Sequence, residues 1–207
     1  MFNLPSLTDM VLFLPAILIG LTFHEVAHGW VADRLGDHTA RNMGRLTLNP
    51  IVHLDPVGFL LLVVYHFGWA KPVPVNPYNL RTDPARGMLL VALAGPVANL
   101  LVALAVTLLW RVGVYQSTPY LVKLIMISII QINVVLAIFN LIPVPPLDGS
   151  KILAGLFPAQ AHYIYSLETY GMLILVLLMF SGVTSRVLWP AVSFVVRIYA
   201  QIGNIHL

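Results

Sequence analysis

The chain has 207 residues, 59% of them hydrophobic and only 9% charged, with a mean hydropathy of +0.88. Soluble domains carry roughly 25% charged residues, so this chain cannot coat itself with water-compatible side chains, and a soluble fold is excluded. The net charge of +3 is diluted by Asp33, Asp37, Asp55 and Asp83 among the basic residues, which argues against nucleic-acid binding, and the lack of cysteine rules out disulfides, thiolate metal sites and a cysteine nucleophile.

A membrane crossing of roughly 30 Å needs about 20 apolar residues. The N-terminal MFNLPSLTDM lacks the positive n-region of a cleaved signal peptide, so the first apolar run, Val11 to Ala32, reads as a retained span. Next comes a more polar stretch holding Arg34, Arg41, Arg45, Lys71, Arg81 and Arg86, six of the 11 Lys and Arg residues. Basic residues concentrated beside spans mark the cytoplasmic side, which places the N-terminus outside the cytoplasm. The apolar run inside this stretch, Val57 to Ala70, is short for a crossing. It is followed by KPVPVNP, where alternating prolines oppose a helix and favour extended or edge-strand backbone. The whole stretch is expected to form membrane-associated hairpins or re-entrant loops, which are tolerated at membrane depth only against protein or a wet cavity.

Three further spans are expected from Met88 to Trp110, Leu121 to Ile142 and His162 to Val183. A fifth segment, Val187 to Ile202, is shorter and holds Pro190 and Arg197, and is read as a tilted span or an interfacial helix, the span slightly favoured. The expected fold class is an all-α polytopic membrane protein in a single domain over 1–207. Its three-span core covers about 10–155 and its C-terminal spans about 162–205.

The chemistry concentrates in GLTFHEVAHGWVADRLG, residues 20 to 36. On a helix, positions i and i+4 share a face, about 6 Å apart along the axis, so His24 and His28 can hold one metal ion together. Glu25 lies about 100° round the helix, within reach of water at that metal without being a ligand. Two imidazoles, an open coordination position and a carboxylate base are what a zinc hydrolase requires. The chain has only two glutamates, Glu25 and Glu168, and ionisable groups inside a span are costly enough to read as functional. A third ligand is expected at Asp148 in NLIPVPPLDGSK, where prolines break the helix and Gly149 allows close backbone approach. If only one full crossing separates the first and third spans, their C-terminal ends meet and Asp148 reaches the histidines.

Three ordered motifs resemble those of the site-2 proteases, intramembrane zinc metalloproteases. They are H-E-x-x-H at His24 to His28, G-P-x-x-N at Gly95, Pro96 and Asn99, and N-x-x-P-x-P-x-L-D-G at Asn140, Pro143, Pro145, Leu147, Asp148 and Gly149. The segment GWAKPVPVNP is similar to the family's membrane-associated segment. The resemblance implies one Zn2+ per chain on His24, His28 and Asp148, with Glu25 as the catalytic acid/base. It also implies a site towards the cytoplasmic side of the cell membrane, with Asn140 near it to steady substrate or oxyanion. The implied partners are the lipid bilayer and a transmembrane protein or peptide substrate. A compact form without PDZ or CBS domain is expected.

Several other residues carry expectations of their own. Asn99 is assigned to helix packing together with Gly95, or to contact with the site. Lys71, Pro72, Val73, Pro74 and Val75 could pair with an unwound substrate as an added strand, in a hairpin edge reaching Pro77. His53 and Asp55 are expected in surface or capping roles, His66 in a packing role, and Glu168 snorkelling to the interface. Trp69, Trp110 and Trp189 are expected as interface anchors. The rival functions are a divalent-metal transporter or channel, and a metal-dependent lipid hydrolase.

Overall fold

A computed structural model describes residues 7–65 and 68–205; His66 and His206 lie outside them. The first apolar run forms α1, Leu7–Arg34, which at 1.5 Å per residue is about 42 Å long and sufficient to cross a bilayer. Its C-terminal end is fastened by Asp33, which accepts hydrogen bonds from Arg41 and, at 2.8 Å, from His38. The short α2, Thr39–Asn42, follows, and then a 3-10 turn over Pro50–His53.

The next helix, α3, covers only Pro56–Tyr65, roughly 15 Å at the helical rise and half of what a crossing needs. Asp55 caps it by accepting from Val57 and Gly58 N–H at 3.1 and 2.8 Å. The chain then comes back to its starting point: Leu54 and Ala70 form an isolated antiparallel bridge, and Lys71 N–H donates to the His53 carbonyl at 2.9 Å. Because the segment's ends meet, it is a hairpin and does not cross. His53 departs from the surface role expected of it. It is fully buried and pairs with the Thr47 carbonyl at 2.8 Å, because the returning strand covers it.

Residues 71–76 form no helix and no ladder, and the stretch ends with Asn76 in an extended conformation. The expected edge stops at Asn76, whose side chain accepts from Tyr78 N–H and starts a 3-10 turn over Pro77–Asn79. Two long helices follow, α4 at Pro84–Arg111 and α5 at Tyr120–Asn140. These two and α1 pack mutually, forming the three-helix core. After α5, a segment with a cis Pro145–Pro146 peptide turns the chain into α6, Asp148–Leu156, which packs on α4.

The fourth span is not one continuous helix. It divides into α7, Ala161–Ser166, a 3-10 turn at Glu168–Tyr170, and α8, Gly171–Phe180. The backbone of Gly171 lies against the Pro145 carbonyl, so the break seats this segment on the turn before α6. Glu168 is exposed at the break. The last helix, α9, is Val183–Gly203. Among the described residues, four helical stretches are long and apolar enough to cross a membrane: Met10–Arg34, Pro84–Arg111, Tyr120–Asn140 and Pro158–Leu178. Val187 to Ile202, open between a tilted span and an interfacial helix in the sequence, is not among these. α9 has the length but puts one apolar side on the core, through Leu188 and Val192, and keeps Arg186 and Arg197 off that core. Trp110 is buried in that same core beside Ala103, Met126, Ile130 and Val134, so it is not an interface anchor. Trp69 and Trp189 are exposed.

Candidate metal centre

His24 and His28 lie one turn apart on the face of α1 that packs on α4, roughly 9–15 Å from its Arg34 end. That depth is within the hydrocarbon thickness of a bilayer. Asp148 arrives from the other side as the first residue of α6. It gets there because the prolines after Asn140 stop α5 and Gly149 seats directly on the end of that helix. A Cβ at Gly149 would collide with the carbonyl oxygens of both Leu141 and Ile142. The three side chains converge: Asp148 Oδ2 is 3.0 Å from His24 Nε2 and 3.1 Å from His28 Nε2. The two Nε2 atoms are 3.0 Å apart. All three residues are buried.

The protonation of this triangle follows from the groups behind it. Asn133 donates its amide to the Ile129 carbonyl at 2.8 Å, so its oxygen faces Asn99. Asn99 donates to that oxygen at 3.0 Å and to the Gly20 carbonyl at 2.9 Å. Both amide protons are then spent, and Asn99 Oδ1 must accept from His24 Nδ1–H at 2.7 Å. His28 Nδ1–H donates to the Val91 carbonyl at 2.6 Å, an oxygen that can only accept.

In neutral imidazoles with the proton on Nδ1, both Nε2 atoms present bare lone pairs. Asp148 Oδ2 is buried and accepts no hydrogen bond among the described residues. With both imidazoles neutral, three buried lone-pair donors face one another about 3 Å apart, an arrangement that a shared metal ion relieves. Two imidazole nitrogens and one carboxylate oxygen, close enough to share an ion at about 2.0–2.2 Å, match the donor set of a zinc site with an open position. The orienting partners of both rings are those expected around metal-ligating histidines.

Gly95 closes the back of the triangle. A Cβ there would lie 2.5 Å from His28 Nε2 and His24 Cε1, so only hydrogen fits between α4 and the two rings. In front lies a cavity of about 460 Å³ whose polar lining is His24, Glu25, His28, Asn140, Asp148 and Lys151. Its remaining wall is apolar and includes Pro72, Val73 and Val75 of the strap at 71–76. Glu25 is buried and accepts from Val73 N–H at 2.8 Å.

Of the residues singled out from the sequence, His24, Glu25, His28, Asp148 and Asn140 all reach the cavity, as do Pro72, Val73 and Val75. Lys71 and Pro74 are not in its lining. Asn140 spends one amide proton on the Leu136 carbonyl of its own helix. Asn99 is fully buried behind His24, away from the cavity, so its contacts are those of an orienting group. Sequence reasoning missed Lys151 and Asn133. Asn133 left a usable signal: it lies two turns before Asn140, on the same side of an otherwise apolar span.

Comparison with known proteins identifies the family. The model of peptidase family M50 matches residues 112–182, a stretch that includes Asp148. YwhC of Bacillus subtilis, which bears the name of a zinc metalloprotease, is 41% identical over 184 residues, covering 86% of this chain and 84% of the relative. Rip2 of Mycolicibacterium smegmatis, named likewise, is 31% identical over 181 residues, covering 85% and 69%. A zinc metalloprotease by name from Methanocaldococcus jannaschii is 30% identical over 154 residues, covering 73% and 75%. No solved structure gives a significant match. By its relatives and by the lone pairs gathered at its centre, the chain belongs to peptidase family M50 and is a membrane zinc metalloprotease of the site-2 type.

Proposed function

We propose that this protease hydrolyses a peptide bond in or next to a membrane-spanning helix of a substrate protein, releasing part of that protein from the membrane. The observation that carries the reading is the convergence of His24, His28 and Asp148 inside the helical bundle, on the wall of a cavity shared with Glu25. His24, His28 and Asp148 would hold one zinc ion. Zinc, when bound, supplies Lewis acidity towards a scissile carbonyl and towards water at neutral pH. Glu25 takes a proton from the attacking water and later delivers it to the leaving amine. The orienting bonds from Asn99 and Val91 keep both imidazoles in the tautomer that leaves Nε2 free. The apolar wall keeps bulk water from the reacting groups and receives the substrate's side chains.

A spanning helix hides its peptide bonds, so the bond to be cut must first be unwound. The strap at 71–76, which lines the cavity through Pro72, Val73 and Val75, lies where such an unwound segment would run. The cluster of basic residues between α1 and α4 supports a multi-pass protein of the cell membrane with the site nearer the cytoplasmic face. A transporter reading has less support, because the rear of the metal triangle is closed by Gly95, Asn99 and Val91.

Purified protein in lipid vesicles with a single-span reporter helix tests the proposal. New peptide termini are expected, vanishing with a zinc chelator and returning with added zinc. Glu25→Gln should abolish cleavage while one zinc per chain stays bound; sustained turnover in that variant would refute the assignment of Glu25.

A further inference from the structure

We infer that the backbone amide of Val73 positions Glu25 for proton transfer, which makes Val73 a positioning residue of the reaction. The inference rests on the reading of Glu25 as acid/base and adds to it the group that aims that carboxylate. Val73 N–H donates to Glu25 Oε2 at 2.8 Å in a buried setting. One carboxylate oxygen is thereby committed to the strap, leaving Oε1 for water.

The donor is held on several sides. Lys71 is fastened by its N–H to the His53 carbonyl at 2.9 Å, and by its carbonyl to Arg45 Nη2 at 2.7 Å. Downstream, Asn76 N–H donates to Asp37 Oδ2 at 2.7 Å. Between these anchors Pro72 and Pro74 fix the backbone and carry no N–H, so Val73 holds the one amide proton of the Pro72–Pro74 triplet. Its side chain is buried against Gly29 of α1, the helix that bears Glu25. A proton carrier needs its oxygen held within a fraction of an ångström of the productive geometry, and misplacement by 1 Å costs on the order of a hundredfold in rate. A freely rotating glutamate does not meet that requirement, whereas one tied to an anchored amide does.

Proline can replace Val73 with little change of backbone, because a residue preceding proline already favours the extended region that proline adopts. Val73→Pro thus deletes the N–H, and Val73→Ala keeps the N–H while deleting most of the side chain, setting the reference. In the full chain in vesicles with the single-span reporter, kcat of Val73→Pro should fall at least tenfold below that of Val73→Ala. KM should stay within about twofold of the reference and zinc at one per chain. An α-hydroxy acid analogue of valine at position 73, which swaps N–H for O and keeps the side chain, carries the same test should Val73→Pro fail to fold. Equal kcat in the N–H-deleted and N–H-retaining variants would overturn the inference. So would a loss confined to KM, which would assign the amide to substrate binding. Glu25→Gln in the same assay separates the two layers: if it stays active, the acid/base reading itself fails, and if it is dead while the Val73 variants match, only the positioning role fails.

Discussion

Gly95 faces two imidazoles across a gap that admits no methyl group, since a Cβ at this position would stand 2.5 Å from His28 Nε2. Gly95→Ala must therefore push one or both rings off the metal. Zinc affinity is expected to fall at least a hundredfold and cleavage to vanish while helix content by circular dichroism is unchanged, since the clash involves side chains and not the helix ladder. The asparagine relay should act more gently. Losing an orienting partner of a metal-bound histidine costs about 10–100-fold in affinity, so Asn99→Ala should fall in that range by competitive chelation. Asn133→Ala should cost less, because Asn99 keeps its bond to the Gly20 carbonyl. Removing both should cost little more than removing Asn99, as the two act through one chain of hydrogen bonds. The approach of His24 to His28 was legible from the sequence because spacing on a helix is a local property: the two share a face by periodicity alone. The Val73 amide was not, since a backbone donor has no residue type, and its meeting with Glu25 depends on a hairpin that returns across many residues.

The strap between the hairpin and α4 is an element with almost no secondary structure of its own, and its downstream end is kept in place by Asp37. That carboxylate accepts from Thr39 N–H at 3.1 Å, from Thr39 Oγ1, from Asn76 N–H at 2.7 Å and from Asn79 Nδ2 at 3.0 Å. Burial alone would raise its pKa, but the bonds from Thr39, Asn76 and Asn79 outweigh this and hold it below the ordinary carboxylate value. A folded pKa below the unfolded one means that the stabilisation is complete above about pH 3.9, and is lost as pH falls through the lower folded value. Amides of 73–80 should accordingly keep their hydrogen-exchange protection at neutral pH and lose it on strong acidification. Asp37→Asn should weaken protection there about fivefold already at neutral pH, the equivalent of roughly 1 kcal/mol. Protection unchanged by the substitution would mean that other contacts hold the strap. Among the elements, the three core spans were legible because each apolar run exceeds the bilayer length. The break in the fourth span was not, because its cause lies in a distant segment: Gly171 seats on the Pro145 carbonyl, and no periodicity within residues 162–183 encodes that neighbour. Burial of Trp110 has a similar origin, since the core that encloses it draws on Leu188 and Val192 of α9 as well as on α5.

At the scale of the molecule, the metal centre joins parts that are otherwise held by apolar packing. α1, α4 and α5 pack on one another without it, whereas the contact between α1 and the first turn of α6 runs through His24, His28 and Asp148. With both imidazoles neutral and no cation, three lone pairs stand about 3 Å apart in a buried site, and their mutual repulsion works against the junction of α1 with α6. Metal binding to the folded state alone stabilises by about 4 kcal/mol at a free concentration a thousandfold above Kd. For a chain of this size that corresponds to roughly 10 °C in Tm. Chelation should therefore lower the Tm by about that amount and restore it with added zinc, with little change in helix content at 25 °C. His28→Ala should unfold at the same temperature with and without chelator, because its site no longer gathers three donors. A wild-type Tm insensitive to chelation would show that the convergence of α1 and α6 is maintained by packing alone, and that the three side chains are not joined by a metal.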